Sequence, residues 1–272
     1  MSLICNIFIL RKGIEMDILS AGLTIVILGF LYWRMIKREP PERIGAFQAL
    51  LPVALGVVSM FIGGLSTVLL AKSLGGMANM LEGNKGFGGS LLRSFLMAGV
   101  TEETAKLLMI LLALVILKSR AKNVYEYVLI GAAVGFGFAV AEEFYYGDFG
   151  AESSAADYVS LVGRMISVPA HMTFNMVMGE FLGRARFNRL KGKGAPALDC
   201  VLAILIPLGV HTLYDACTVF NSKLMSGEMS GVLMALAGYV GLMIYEIVVL
   251  IRFRKNTETF CGMRISAAEP AA

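Results

Sequence analysis

The chain has only two histidines, His171 and His211, and both lie inside long apolar runs. Carboxylates sit in similar runs: Glu102-Glu103 with Lys106 close behind, Glu142-Glu143, and Asp215 four residues after His211. An ionisable group in hydrocarbon costs several kcal/mol, roughly, on insertion scales, so each one marks a candidate site. Residues four apart share a helix face, which pairs His211 with Asp215 and His171 with Asn175. Neighbours in sequence point about 100° apart, so only one member of each Glu-Glu pair can aim straight at a shared centre. Lys106 follows Glu102 by four residues and Glu103 by three, and its plainest role is to neutralise that pair. Two imidazoles with one carboxylate match the ligand count of a hydrolytic zinc site that keeps a position for water, and a further Glu would serve as general base. On this reading His171, His211 and Glu142 hold Zn²⁺, while Glu143, Asn175 and Asp215 support the site. A Glu–His pair activating water without metal fits the same inventory.

Other hydrolytic chemistries are poorly served. No HExxH, GxSxG or CxxC motif occurs, and Phe138-Ala139 follow Gly137 where an intramembrane aspartyl site would need Asp. The four cysteines, Cys5, Cys200, Cys217 and Cys261, show no paired spacing and read as reduced thiols.

These groups need a scaffold, and the composition says which kind. The 272 residues are 57% hydrophobic and 16% charged, with mean hydropathy +0.73. A soluble globule of this size cannot bury so much apolar surface, so the excess must face lipid. The net charge of +4 is too mild and too scattered for nucleic-acid binding. Seven segments reach the length of a membrane span: 17–36, 47–71, 94–117, 126–146, 158–182, 198–220 and 231–251. Sixteen Lys and Arg lie on one side of this alternation and six on the other, while Lys106 and Arg164 fall inside spans. The positive-inside rule then puts the N-terminus outside and the C-terminus in the cytoplasm. The expected fold is therefore all-α, a polytopic membrane bundle of about seven helices over 17–251.

Residues 1–16 form an N-terminal extension, with Met16 as the expected true start, and 252–272 read as a disordered cytoplasmic tail. The outer loops 72–93 and 147–157 are too short to be soluble domains, so the bundle itself must do the chemistry. Gly131, Gly135 and Gly137 in the fourth span form a small-residue stripe suited to close helix packing. Counted at the helical rise, the Glu102/Glu103 pair lies about 12 Å from the outer end of its span, Glu142/Glu143 about 6 Å, His211 about 14 Å, Asp215 about 8 Å and His171 about 18 Å. Four helices thus present their polar groups to one level, and Pro169 can bend the fifth span to adjust His171.

The order Glu102-Glu103-x-x-Lys106, Glu142-Glu143-x-x-Tyr146, His171 followed by seven residues and Gly179, and His211-x-x-x-Asp215 resembles the motifs of the PrsW family of intramembrane proteases. That family is related to the CAAX-processing and bacteriocin-immunity membrane proteases. The resemblance covers about residues 95–220. It implies a metal-dependent endopeptidase that cuts a single-span membrane protein, an anti-sigma factor, near its extracytoplasmic side as the first step of regulated proteolysis. Carried over, Glu102 and Glu103 match the essential acidic pair, and His171 and His211 the essential histidines. The CAAX branch has EExxxR, whereas here a Lys stands one position earlier, and its FxxxH motif has Phe where this chain has Ser167, so prenylated substrates are disfavoured. The alternative, an ion- or proton-coupled transporter using the buried carboxylates, would call for broken helices and an internal repeat. The Glu-Glu pairs recur after 40 residues with little else in common.

Overall fold

The computed structural model describes residues 21–38, 44–75, 86–117, 121–146 and 155–265, with side chains left undescribed at Tyr146 and 155–165. The expectations for the N-terminal extension and for most of the outer-loop residues 76–85 and 147–154 lie outside these residues. What is described is helical, with one isolated β-bridge. The helices are α1 (Ala21–Ile36), α2 (Ala46–Leu74), α3 (Phe87–Ser94), α4 (Thr101–Ile116), α5 (Val124–Tyr146), α6 (Ala155–Lys191), α7 (Pro196–Cys217), α8 (Ser222–Met225), α9 (Met229–Lys255) and α10 (Thr257–Gly262). A π-helical turn, Phe95–Val100, joins α3 to α4.

Four stretches are long and apolar enough to cross a membrane: Ala46–Leu74, Val124–Tyr145, Pro196–Met225 and Met229–Lys255. The shorter α1 is apolar as well. In α6, 37 residues long, His171, Asn175 and Glu180 dilute the apolar run. The third expected span is divided by the π turn, leaving α4 with 16 residues. Leu50, Phe61, Leu65, Leu205, Leu236, Ile244 and Ile247 are exposed on the outside of the bundle. A soluble protein rarely shows apolar surface on this scale, and lipid is the solvent that suits it. The structure is thus an all-α membrane bundle.

The centre of the bundle is α5. Across its most apolar stretch 78% of the residues are buried, against 22% in α2 and α9. Small residues permit this. A Cβ on Gly131 or Gly135 would run into the carbonyl of Asn175 or His171 on α6, and one on Gly137 would strike the Val53 carbonyl on α2. The order of these contacts, 135 with 171 and 131 with 175, makes α5 and α6 antiparallel and sets the depth of His171. The glycine stripe therefore packs α5 between α2 and α6, as its spacing suggested.

Residues 252–265 correct the expectation of a disordered tail. Helix α9 runs on to Lys255, α10 follows, and Ile265 N–H donates to the Lys122 carbonyl at 2.7 Å. Phe260 and Ile265 are buried, and Phe253 stacks on Tyr125 with ring centroids 5.0 Å apart. The composition of this stretch is polar enough for a tail, but its few apolar residues fall where the base of α5 can bury them.

Candidate active site

The polar residues of α4, α5, α6 and α7 meet in one cluster. The approach of α4 is set locally by the π turn, whose extra residue shifts the downstream side chains around the helix axis. Gly99 in that turn lies so close to α7 that a Cβ would strike the Thr212 hydroxyl. Ser94 Oγ donates to the Thr212 carbonyl at 2.6 Å, and Thr67 Oγ1 on α2 reaches Thr101 Oγ1 at 2.9 Å. The first turn of α4 is thereby pinned beside His211, one residue before Thr212.

Glu103 is fully buried, and its Oε1 accepts from Lys106 Nζ at 2.8 Å and pairs with His211 Nδ1 at 2.7 Å. With the carboxylate accepting, Nδ1 carries the proton and Nε2 presents a lone pair to the cluster. This tautomer is inferred from the hydrogen-bond pattern. His211 Nε2 lies 3.4 Å from Asp215 Oδ2 and 3.9 Å from Glu102 Oε2. His171 shows the same logic with its nitrogens exchanged: Nε2 pairs with Glu142 Oε2 at 2.7 Å and Nδ1 with Lys106 Nζ at 2.9 Å. Each imidazole thus has one nitrogen on a carboxylate and the other turned inward. In metal sites a carboxylate behind a histidine fixes ring and tautomer in this way.

One ligand atom each from Glu102, His171 and His211 lies within 4.8 Å of the others, a spacing that can close on a metal ion. The carboxylate in this group is Glu102, whereas the sequence reading placed Glu142 there; Glu142 sits behind His171 instead. The donor set fits a divalent cation of the zinc type, with nitrogen and oxygen ligands and few enough of them to leave a position for water. The surrounding charge fits too, since among the described residues the carboxylates of Glu102, Glu103, Glu142 and Asp215 gather with one ammonium, that of Lys106. Glu143 is buried next to Glu142 but about 100° around α5. Asn175 is fully buried one turn beyond His171, and neither its oxygen nor its nitrogen has a protein hydrogen-bond partner.

Access separates the carboxylates. The side chain of Glu103 is sealed, while those of Glu102 and Glu142 are 15% and 24% exposed. Solvent therefore reaches the site on the Glu102/Glu142 side. The buried part of the cluster is packed by aromatic rings that sequence reasoning did not single out. Phe138 lies 3.7 Å from Lys106 Nζ and 4.7 Å from the His171 ring. Phe174 stacks on His211 at 5.4 Å and meets Tyr245 of α9 at 5.6 Å. Phe138 stands four residues before Glu142 and Phe174 three after His171, spacings that could have revealed both; nothing in the sequence around Tyr245 ties α9 to the site.

Fold and site together define a membrane-embedded helical protein whose core carries a His–carboxylate cluster competent to hold a metal. Residues 51–249 match the model of the PrsW family of intramembrane metalloproteases, and the chain belongs to that family. Protease PrsW of Clostridioides difficile (strain 630) is 28% identical over 148 residues, 54% of this chain and 59% of that protein. Protease PrsW of Bacillus subtilis (strain 168) is 28% identical over 165 residues, 60% of this chain and 69% of the relative. The chain thus spans about three-fifths to two-thirds of the curated relatives it matches. No solved structure matches it.

Proposed function

We propose that this protein is an intramembrane endopeptidase of the bacterial cytoplasmic membrane that cuts a single-span membrane protein of the anti-sigma-factor kind just outside the bilayer. The observation that carries the reading is the convergence of Glu102, His171 and His211 to within 4.8 Å inside an apolar bundle. Glu102, His171 and His211 would hold a divalent cation, most simply Zn²⁺, whose Lewis acidity would polarise a peptide carbonyl and ease ionisation of water. Glu103 holds His211 with Nε2 inward, and Glu142 holds His171 with Nδ1 inward. Glu142, the solvent-reached carboxylate outside that group of three, is placed to take a proton from the attacking water and to return it to the amine nitrogen as the C–N bond breaks. Asp215, whose Oδ2 lies 3.4 Å from His211 Nε2, adds negative charge on the inward side of that ring, where a cation would sit.

With the N-terminus outside, the cluster lies in the outer half of the bundle, so water has a short path from that side. A cut in the middle of the substrate helix would free backbone groups with no partners in hydrocarbon. A cut in the extracytoplasmic juxtamembrane segment avoids this and leaves a membrane stub for a second protease. The test is co-expression with a tagged library of single-span anti-sigma factors, comparing wild type with Glu102→Gln, followed by reconstitution with and without chelator. Products should appear with wild type alone, vanish with chelator and return with Zn²⁺. Mass spectrometry locates the cut, and a product terminus on the cytoplasmic side of the substrate helix would refute the topology and the first-cut role.

A further inference from the structure

Lys106 is fully buried, yet its ammonium does not simply neutralise the carboxylate behind it. Nζ lies 2.8 Å from Glu103 Oε1, 3.4 Å from Glu102 Oε2, 2.9 Å from His171 Nδ1 and 3.7 Å from the centre of the Phe138 ring. Two carboxylates, an imidazole nitrogen and an aromatic face make a complete cation cage. Glu102 and His171 are also two of the three groups that converge for a metal. His171 Nδ1 is its inward nitrogen, and its lone pair accepts from the ammonium while Nε2–H donates to Glu142. A divalent ion taking Glu102 and His171 would stand beside the ammonium and compete for the same lone pairs.

We propose that Lys106 is an internal stand-in cation: it occupies the place of the metal on Glu102 and His171, holds those ligands in register, and gives them up when a divalent ion binds. The inference rests on the metal-site reading above and extends it to how loading is controlled. The fold supplies a place for the displaced ammonium. Glu103 Oε2 is buried and has no protein hydrogen-bond partner, although Oε1 of the same carboxylate has two. Lys106 can swing across that carboxylate from Oε1 toward Oε2, keeping its ion pair while freeing both shared ligands. An unpartnered charged oxygen in a sealed position is costly, and this motion gives it a partner. Lys106 thereby sets the metal affinity of the site, keeping it weak enough for reversible loading and its carboxylates compensated when no metal is there.

The experiment titrates purified, detergent-solubilised full-length protein with Co²⁺, read by its visible ligand-field bands, and then displaces Co²⁺ with Zn²⁺. Wild type is compared with Lys106→Met and with Lys106→Gln, which keeps a hydrogen-bonding side chain without the charge. The expected result is at least tenfold tighter metal binding in both variants, together with a lower unfolding temperature for the metal-free variants that the metal largely restores. Recovery of folded Lys106→Met only when Zn²⁺ is present during expression would support the same conclusion. Equal or weaker affinity in Lys106→Gln overturns the displacement mechanism and leaves the metal reading intact. No ligand-field bands in any of the proteins sinks both.

Discussion

Adjacent glutamates with different jobs give the sharpest test of the site. In Glu103→Gln the shape is kept, but the negative oxygen that accepts from Lys106 at 2.8 Å and His211 at 2.7 Å is lost from a fully buried position. Hydrogen bonds to a charged group are worth about 1.5–3 kcal/mol each, and removing one partner of a buried ion pair costs about 3–5 kcal/mol. The Gln amide still accepts one weaker bond, so a loss of about 3–4 kcal/mol is expected. In Glu102→Gln the groups affected are Lys106 at 3.4 Å and His211 at 3.9 Å, from a side chain 15% exposed, and contacts of that kind are worth about 0–1 kcal/mol. At about 2–4 °C per kcal/mol, Glu103→Gln should lower the unfolding temperature by on the order of 10 °C and Glu102→Gln by less than about 4 °C. Cleavage should fall by about a hundredfold or more in both, because one substitution removes a group at the reacting centre and the other releases the His211 ring. Thermal unfolding in detergent, followed by circular dichroism, and cleavage of a single-span substrate measure the two quantities. Equal stability losses in the two variants would refute the division of labour.

Gly135→Ala should destabilise by about 1–3 kcal/mol and reduce cleavage, since the added methyl strikes the His171 carbonyl and pushes α6 away from Glu142. Gly64→Ala is the control: its Cβ meets nothing within 4 Å, so its unfolding temperature should stay level or rise. Truncation after Lys255 removes the buried Phe260 and Ile265 side chains. At about 1.5–3 kcal/mol each it should cost about 3 kcal/mol or more, seen as a lower unfolding temperature and faster proteolysis; a truncated protein as stable as the full chain would restore the disordered-tail reading.

The sequence made the site legible because hydrocarbon makes polar residues conspicuous. His171, His211 and the two Glu-Glu pairs stood out by cost alone, and the structure gathers both imidazoles with Glu102, Glu103 and Glu142. Spacing also foretold that Glu102 and Glu103 diverge around the helix, but which of them is sealed depends on the π turn and on Gly99 against Thr212, neither of which leaves a periodic signal. The choice of ligand carboxylate is not legible for a related reason: spacing fixes neighbours on one helix, whereas whether Glu102 or Glu142 joins the two imidazoles depends on how α4, α5 and α6 cross. Hydropathy finds α2, α5, α7 and α9 readily. It reads α4 and α6 less well, since those helices spend their apolar length on Glu102, Glu103, Lys106, His171 and Asn175.

The distribution of charge among the helices carries a further consequence. Carboxylates come from α4, α5 and α7, while among the described residues the positive charge beside them is Lys106, on α4 itself. Three helices that present like charges to a common centre in low dielectric repel one another unless cations stand between them. The imidazoles hold part of the assembly by hydrogen bonds, His211 bridging α7 to α4 and His171 bridging α6 to α5. Lys106 is the remaining link, reaching from α4 to His171 on α6. A divalent ion on Glu102, His171 and His211 would join α4, α6 and α7 at one point and bring twice the charge of the ammonium it displaces. The same substitution of one cation for another therefore arms the chemistry and tightens the bundle, which links stability to metal loading without a separate regulatory element.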